Sequence, residues 1–292
     1  MNNLAWMLAL FAVVGLSACS PNVQVDDPIS RAPAAVKPTT RSEQKPPAVK
    51  TLPQLHTQPR LALRYYDTTR GGIRMYLVAF DDRDHVLRVA DQQNGPGTRW
   101  TTAQEAAATY GGVAAVNGGF FTPEGKPLGM LIETGTRRGH LNRSSLGAGI
   151  YVSSHLRSAI LRRESYQKSK SSWNAYNLLQ TGPMLVENKQ AVTGLSKNNR
   201  RPRSFIAWDG KHHWLIGYAE PCTLHALSKA ITGRTLGGFE ISNALNLDGG
   251  RSSDLWAGNA ISGGGKSHRG IFNKTVRNYL VLVRRKSVAD TE

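Results

Sequence analysis

Short apolar segments, each about as long as one β-strand, recur along the chain between glycine, asparagine and aspartate residues. Their β-branched and aromatic side chains favour extended structure. Five of these segments predict strands, at residues 73–80, 149–152, 203–208, 213–218 and 279–283. Asp209-Gly210 separates two of them and predicts a two-residue hairpin turn.

Helical signals are few. Thr102 with Glu105 has the spacing of a capping box, and an alanine-rich segment follows it until two glycines end the helix. Thr223 caps a second predicted helix. The apolar face of that helix comprises Leu224, Leu227 and Ile231. We therefore predict an α+β fold, a single domain with a large mixed or antiparallel sheet and a few packed helices.

The N-terminal part of the chain differs from the rest. Residues 1–19 contain an apolar segment too short to cross a membrane, followed by Leu16-Ser17-Ala18-Cys19. Small residues before a cysteine are typical of bacterial lipoprotein signal peptides, so Cys19 is the predicted lipidation site. Residues 20–59 are rich in proline and predict an extended tether. Residues 60–292 then form the folded domain, held in the bacterial cell envelope by a lipid anchor. Ser20 after the cysteine favours the outer membrane in a bacterium with two membranes.

Charge and cysteine content narrow the possible partners. The 292 residues carry a net charge of +17, which favours acidic polymers, but no nucleic-acid-binding motif accompanies it. The chain has two cysteines, so a lipidated Cys19 leaves Cys222 without a disulfide partner. A position near a helix start predicts a lowered pKa for Cys222, although a small buried residue is the simpler interpretation. His212-His213 lacks metal-ligand spacing and is interpreted as exposed structure at the hairpin.

Two segments share an unusual order of residues. In each, an apolar strand ends in Asn or Asp and is followed by two glycines: Asn117-Gly118-Gly119-Phe120 and Asp248-Gly249-Gly250. A strand end holds its last side chain rigidly, and glycines allow a sharp turn with exposed N–H groups. Either motif alone is compatible with an ordinary turn. The occurrence of both indicates a binding or catalytic site.

The same segments resemble the phosphodiester glycosidase family, which includes the enzyme that uncovers mannose 6-phosphate by removing N-acetylglucosamine. The resemblance extends over about residues 60–285. Its elements, in chain order, are Asn117-Gly118-Gly119-Phe120-Phe121, Pro127-Leu128-Gly129-Met130, Thr181-Gly182-Pro183-Met184, Arg201-Pro202-Arg203-Ser204 and Asn246-Leu247-Asp248-Gly249-Gly250-Arg251-Ser252-Ser253. Three positions depart from the family pattern, namely Arg251, Ser204 and Lys274.

The resemblance implies hydrolysis of a sugar-1-phosphate diester and assigns roles to individual residues. Asp248 would act as nucleophile, base or electrostatic stabiliser, Arg203 would hold the phosphate, and Asn117 would orient a sugar hydroxyl or a water. The predicted substrate-binding residues are Gly118, Gly119, Phe120, Thr181, Gly182, Gly249, Gly250, Ser252 and Ser253. The expected partner is a carbohydrate or glycan phosphate, without nucleic acid. No cofactor is predicted, and a metal requirement stays open.

Several alternatives remain at this level. A second carboxylate could be Glu133, Glu220, Glu240 or Asp254. Trp256, close to the second motif, could stack on a sugar ring or belong to the core. The whole protein could instead be a non-catalytic lipoprotein that binds glycans or anionic polymers in the envelope.

Overall fold

The computed structural model describes residues 58–285. The predicted signal peptide with Cys19, and the predicted tether up to residue 57, lie outside the described residues. The strands are β1 (Arg64–Arg70), β2 (Ile73–Asp81), β3 (His85–Asp91), β4 (Ala114–Asn117), β5 (Leu131–Glu133), β6 (Thr136–Arg138), β7 (Gly149–Ser153), β8 (Ser158–Arg162), β9 (Asn177–Thr181), β10 (Met184–Glu187), β11 (Gln190–Ala191), β12 (Arg201–Trp208), β13 (His213–Cys222), β14 (Thr235–Leu236), β15 (Phe239–Glu240), β16 (Asn243–Asn246), β17 (Asp254–Ala257), β18 (Lys266–Arg269) and β19 (Asn278–Arg284). The α-helices are α1 (Ala103–Thr109), α2 (Arg163–Ser169) and α3 (Leu224–Ile231), and single 3₁₀ turns occur at Ser145–Gly147, Lys170–Ser172 and Gly250–Ser252.

The strands form three main sheets, in which neighbouring strands pair antiparallel. A seven-stranded sheet has the order β1-β2-β13-β12-β16-β10-β11, and two five-stranded sheets have the orders β18-β17-β4-β19-β3 and β6-β5-β9-β7-β8. A two-stranded ribbon pairs β14 with β15. The α+β class is confirmed. The sequence had predicted one large sheet, but the strands are divided among several sheets that pack on each other.

The largest core cluster contains side chains of all three main sheets. Its members include Val78, Val116, Tyr151, Ile206 and Leu280, all of which are buried. On the other face of the seven-stranded sheet, α3 packs through Leu227 and Ile231. A third cluster covers the alanine-rich face of α1. Alternate residues along β12 and β16 therefore face different clusters, so both faces of these strands are buried.

Both predicted helices are present with the expected caps. The Thr102 side chain accepts a hydrogen bond from the Glu105 N–H, and the Thr223 side chain accepts one from the Ala226 N–H. The sequence did not predict α2, whose preceding residue Arg162 provides no side-chain cap. In the described part of the chain, no helix is both long enough and apolar enough to cross a membrane.

The hairpin between β12 and β13 is wider than predicted. The Asp209 N–H donates to the His213 carbonyl oxygen at 3.0 Å, so three residues separate this pair instead of two. The Asp209 carboxylate accepts from the Lys211 N–H at 2.7 Å, which closes the wider turn. This hairpin follows the C-terminal end of β12, whereas Arg203 lies near the N-terminal end of the strand, about 17 Å away by strand geometry.

Candidate active site

The two Gly-Gly motifs meet at the ends of β4 and β16. The Asp248 N–H donates to the Gly118 carbonyl oxygen at 3.0 Å. The Asn117 Nδ2 donates to the Asp248 carbonyl oxygen at 2.7 Å, and the Asn117 Oδ1 accepts from the Asp254 N–H at 3.0 Å. The ends of β4 and β16 are far apart in sequence and belong to different sheets, but these hydrogen bonds join them around Asp248.

Asn117 has a different role from the one expected for it. Its side chain is fully buried, and the two ends of the amide bind main-chain groups of Asp248 and Asp254. A group in this environment fixes the position of Asp248 instead of reaching a sugar hydroxyl or a water. We therefore correct the assignment of Asn117 from catalytic residue to positioning residue.

The first pair of glycines also serves packing. The Gly118 N–H donates to the Asn278 carbonyl oxygen, and the Gly119 N–H donates to the Asn278 Oδ1, each at 2.8 Å. A Cβ atom at Gly118 would collide with Asn278 Oδ1. Both N–H groups are thus occupied by the protein and are not free to donate to a substrate. Phe120, which follows them, is half-buried.

Asp248 is partly enclosed just after the end of β16. Its Oδ1 accepts from the Gly249 N–H at 2.9 Å. Burial raises the pKa of Asp248 above the ordinary aspartate value, although hydrogen bonds from Ser252 and Gly249 and the charge of Arg201 act in the opposite direction. A carboxylate with a raised pKa is a stronger base than an exposed one.

Arg203 carries a buried positive charge beside the second motif. Only 6% of its surface is exposed. Its Nε donates to the Cys222 carbonyl oxygen at 3.2 Å and its Nη2 donates to the Asn199 carbonyl oxygen at 2.9 Å. No carboxylate in residues 58–285 forms an ion pair with it. Burial, followed by the charge of Arg201, lowers its pKa.

The second pair of glycines allows close approach to these cations. A Cβ atom at Gly249 would lie 3.6 Å from the Arg203 Nη1 and 3.1 Å from the Pro202 carbonyl oxygen. Gly250 has a φ of +67°, a conformation that favours glycine, and a Cβ there would lie 3.4 Å from the Arg201 Cδ. Gly249 and Gly250 are half-buried and Arg201 is exposed. A surface with two arginines and two glycines suits an anion.

The remaining predicted binding residues lie in or beside the same junction. The Thr181 Oγ1 donates to the Asn246 carbonyl oxygen at 3.2 Å, and both Thr181 and Gly182 are buried. Ser252 lies close enough to Asp248 to lower its pKa. Thr181 and Gly182 therefore support the strand ends through hydrogen bonds to Asn246, whose Nδ2 donates to the Gly182 carbonyl oxygen at 3.0 Å.

Unpartnered polar atoms are concentrated around these motifs. Of eight buried side-chain atoms without a hydrogen-bond partner in residues 58–285, five belong to the motifs or the strands beside them. These five are Ser204 Oγ, Asn246 Oδ1, Ser253 Oγ, Asp254 Oδ1 and Asn278 Nδ2. Buried polar groups normally find partners, so such a concentration is typical of a functional site. Asn278 and Arg201 were not assigned site roles from the sequence, although Arg201 lies in a segment that resembles the family and Asn278 lies within the wider range of the resemblance.

The carboxylates left open by the sequence have separate environments. Three of them bind partners on other elements: Glu133 with Arg138, Glu220 with Tyr76, and Glu240 with Lys189. Asp254 adjoins the motifs, but it is 3% exposed and its Oδ2 accepts from the Ala103 N–H at 3.0 Å. Asp254 thus connects α1 to the site.

Several side chains considered from the sequence lie in the core. Cys222 is buried, and burial raises its pKa to about 11, so the predicted lowering is wrong. Trp256 is half-buried and packs against the cluster around α1. His213 is buried and His212 is half-exposed, so the expectation of exposure holds only for His212.

One group of possible metal ligands occurs in the described part of the chain. Asp81, Asp82 and His212 place ligand atoms within 4.8 Å of one another, at the hairpin end of β12 and away from Arg203. The Asp81 carboxylate already accepts hydrogen bonds from Arg83 at 2.6 Å and 2.8 Å. A cation at this place would have to compete with the Arg83 guanidinium.

Comparisons with solved structures agree with the fold. The catalytic domain of zebrafish N-acetylglucosamine-1-phosphodiester alpha-N-acetylglucosaminidase, auto-inhibited by its pro-peptide, aligns with a TM-score of 0.53 at 15% identity, over 77% of this chain and 84% of that chain. A hypothetical protein from Synechocystis aligns with a TM-score of 0.51 at 16% identity, over 75% of this chain and 61% of that chain. No curated protein matches the sequence.

The sequence profile of one family matches most of the described domain. The profile named phosphodiester glycosidase covers residues 110–283, more than half of the chain. The matched range contains Asn117, Arg203 and Asp248, together with the glycines that surround them. The chain therefore belongs to the phosphodiester glycosidase family.

Proposed function

We propose that the protein hydrolyses a glycosyl phosphodiester in the bacterial cell envelope. The observation that carries this proposal is the buried Arg203 guanidinium, which has no carboxylate partner in residues 58–285 and adjoins Gly249 beside Asp248. A buried cation without a counter-ion lowers the stability of the fold unless an anionic ligand binds and neutralises it. A phosphodiester supplies that anion.

In this proposal, Arg203 and Arg201 bind the phosphate. Arg203 is held by two main-chain oxygens, which fix its orientation and leave Nη1 toward Gly249. The absence of side chains at Gly249 and Gly250 lets a phosphate oxygen come close to the guanidinium groups. Both arginines also stabilise the negative charge that grows on the phosphate as the glycosidic bond breaks.

Asp248 is the proposed base. Water attacks the anomeric carbon, the bond between that carbon and the phosphate oxygen breaks, and the electron pair stays on the phosphate. The water proton passes to Asp248. The products are the free sugar and a phosphate monoester. Because burial raises the pKa of Asp248, the carboxylate accepts this proton more readily than an exposed aspartate would. A phosphate monoester is a good leaving group, so a strong acid is unnecessary.

The place of action in this proposal follows from the N-terminal sequence. Lipidation at Cys19 would anchor the chain, and residues 20–59 would extend the domain from the membrane into the envelope. The net charge of +17 would favour the anionic polymers and lipids found there.

The test is an assay of the full chain against a panel of sugar-1-phosphate diesters, with and without a chelator. Release of the free sugar and of a phosphate monoester supports the proposal. Saturable binding without product in every arm would instead identify a glycan-binding protein and refute the hydrolase. Comparison of the turnover with and without the chelator tests whether the reaction requires a metal ion.

A further inference from the structure

Two large apolar side chains project into solvent beside the candidate active site. Ile271 is 96% exposed and Phe272 is 79% exposed, and they are consecutive in sequence. A single exposed hydrophobic residue needs no explanation, but an adjacent pair at the edge of a site does. Leu156 is similarly exposed, at 92%, but it lies in the turn between β7 and β8.

Hydrogen bonds fix the loop that carries this pair, residues 270–274, to the second motif. The Arg251 Nε donates to the Phe272 carbonyl oxygen at 2.7 Å. The Lys274 N–H donates to the Arg251 carbonyl oxygen at 2.8 Å, and the Asn273 Nδ2 donates to the Ser253 carbonyl oxygen. The apolar pair is thus presented from a loop bound to the residues that follow Asp248.

Two exposed cations adjoin the apolar pair. Arg251 donates from its Nε to the Phe272 carbonyl oxygen, and Lys274 follows the pair on the same loop. The combination of apolar side chains with cations suits a ligand that joins a hydrocarbon chain to a phosphate. It does not suit a sugar alone, whose hydroxyl groups would gain little from isoleucine.

We propose that residues 270–274 form a subsite for an apolar alcohol esterified to the second position of the substrate phosphate. This inference rests on the proposed function and specifies its substrate class, a lipid-linked sugar phosphodiester. Hydrolysis converts the sugar alkyl phosphate and one water into the free sugar and an alkyl phosphate. The alkyl phosphate leaves with the electron pair of the broken bond, with its chain against Ile271 and Phe272.

The test measures binding of two product analogues, octyl phosphate and methyl phosphate, to the full chain by titration calorimetry. We expect octyl phosphate to bind about tenfold tighter or more, since a few methylene groups buried on the loop suffice for that factor. In the double variant Ile271→Ser with Phe272→Ser, the two affinities should become nearly equal while the affinity for methyl phosphate is retained. The matched control Leu156→Ser removes an equally exposed side chain and should keep the preference.

Several outcomes would overturn the subsite. Equal affinities in the unmodified chain would do so, as would a preference that survives in the double variant or disappears in the control. If the double variant bound neither octyl phosphate nor methyl phosphate, the loop would only support the structure of the site, and the subsite would be refuted. If the double variant lost binding to phosphatidylglycerol vesicles but kept its preference, the loop would contact a membrane instead.

A turnover assay of the methyl and the octyl sugar phosphodiester, run beside the titration, separates this inference from the proposed function. Turnover of a methyl sugar phosphodiester without a preference for octyl phosphate would refute the subsite and leave the hydrolase standing. A clear preference without turnover of either diester would refute the hydrolase and leave an apolar binding site.

Discussion

Replacement of Asp248 by asparagine separates the catalytic role of this residue from a structural one. Asp248→Asn preserves the size of the side chain and the oxygen that accepts from the Gly249 N–H at 2.9 Å. It removes the negative charge and the ability to accept a proton. If Asp248 is the base, kcat should fall about a hundredfold or more, which corresponds to about 2.7 kcal/mol of activation free energy.

Asp248→Asn should lower kcat but should maintain or raise the free energy of unfolding. Burial raises the pKa of Asp248, so the folded protein holds the proton more tightly than the unfolded chain does. Above the raised pKa, the ionised carboxylate therefore lowers the free energy of unfolding. The variant should melt at a temperature equal to or higher than that of the unmodified chain at pH 7. This difference should shrink as the pH falls through the raised value toward about 3.9, the ordinary value for an unfolded aspartate.

The assay measures sugar release per folded molecule, with melting curves at several pH values. Asp82→Asn is the matched control, because burial also raises the pKa of Asp82, but this residue lies at the hairpin near His212. The control should keep its turnover. Turnover of Asp248→Asn within about threefold of normal, less than 0.7 kcal/mol in the barrier, would refute the catalytic role. A much lower melting temperature with normal turnover would make Asp248 a turn-forming residue.

Three further predictions address other parts of the proposal. Arg203→Lys keeps the charge but loses the forked geometry of the guanidinium. The kcat/KM measured in steady-state assays should therefore fall by a factor that corresponds to on the order of 1–3 kcal/mol of lost transition-state stabilisation. Unchanged activity would remove Arg203 from the site. A pH–rate profile should show kcat/KM falling as the pH drops through the raised pKa of Asp248, above the ordinary aspartate value, and a profile that stays flat there would exclude this base. Cys19→Ser should release the protein from the membrane fraction with an unchanged melting temperature for the domain, whereas unchanged fractionation and mobility would contradict lipidation.

The strand pattern could be predicted because it depends on local sequence. Apolar segments of strand length became β2, β7, β12, β13 and β19, and the threonine caps set the starts of α1 and α3. The division into several sheets could not be predicted, since it depends on which strands pair across long distances. The short helix α2 lacks both a cap and a strong apolar face, so no local signal marked it.

Local sequence also predicted part of the geometry of the candidate site. The sequence pointed to Asp248 and Arg203, and the structure places them at one junction of strand ends. It could not distinguish residues that face a ligand from residues that hold the junction together. Asn117 and Gly118 proved to be internal, because their hydrogen bonds are made to segments distant in sequence. The pKa of Cys222 was mispredicted likewise, since burial among distant residues outweighs its position near a helix start.

The electrostatics of Arg203 and Asp248 favour a site over a structural ion pair. Burial disfavours the charged form of both side chains, since it lowers the pKa of Arg203 and raises the pKa of Asp248. Two opposite charges near one loop would relieve this cost by pairing, yet within residues 58–285 they form no ion pair with each other. A structure selected for stability alone would bring them together or replace them with apolar residues. The proposed phosphodiester would resolve this conflict, because its phosphate would neutralise Arg203 while Asp248 would stay free to accept a proton.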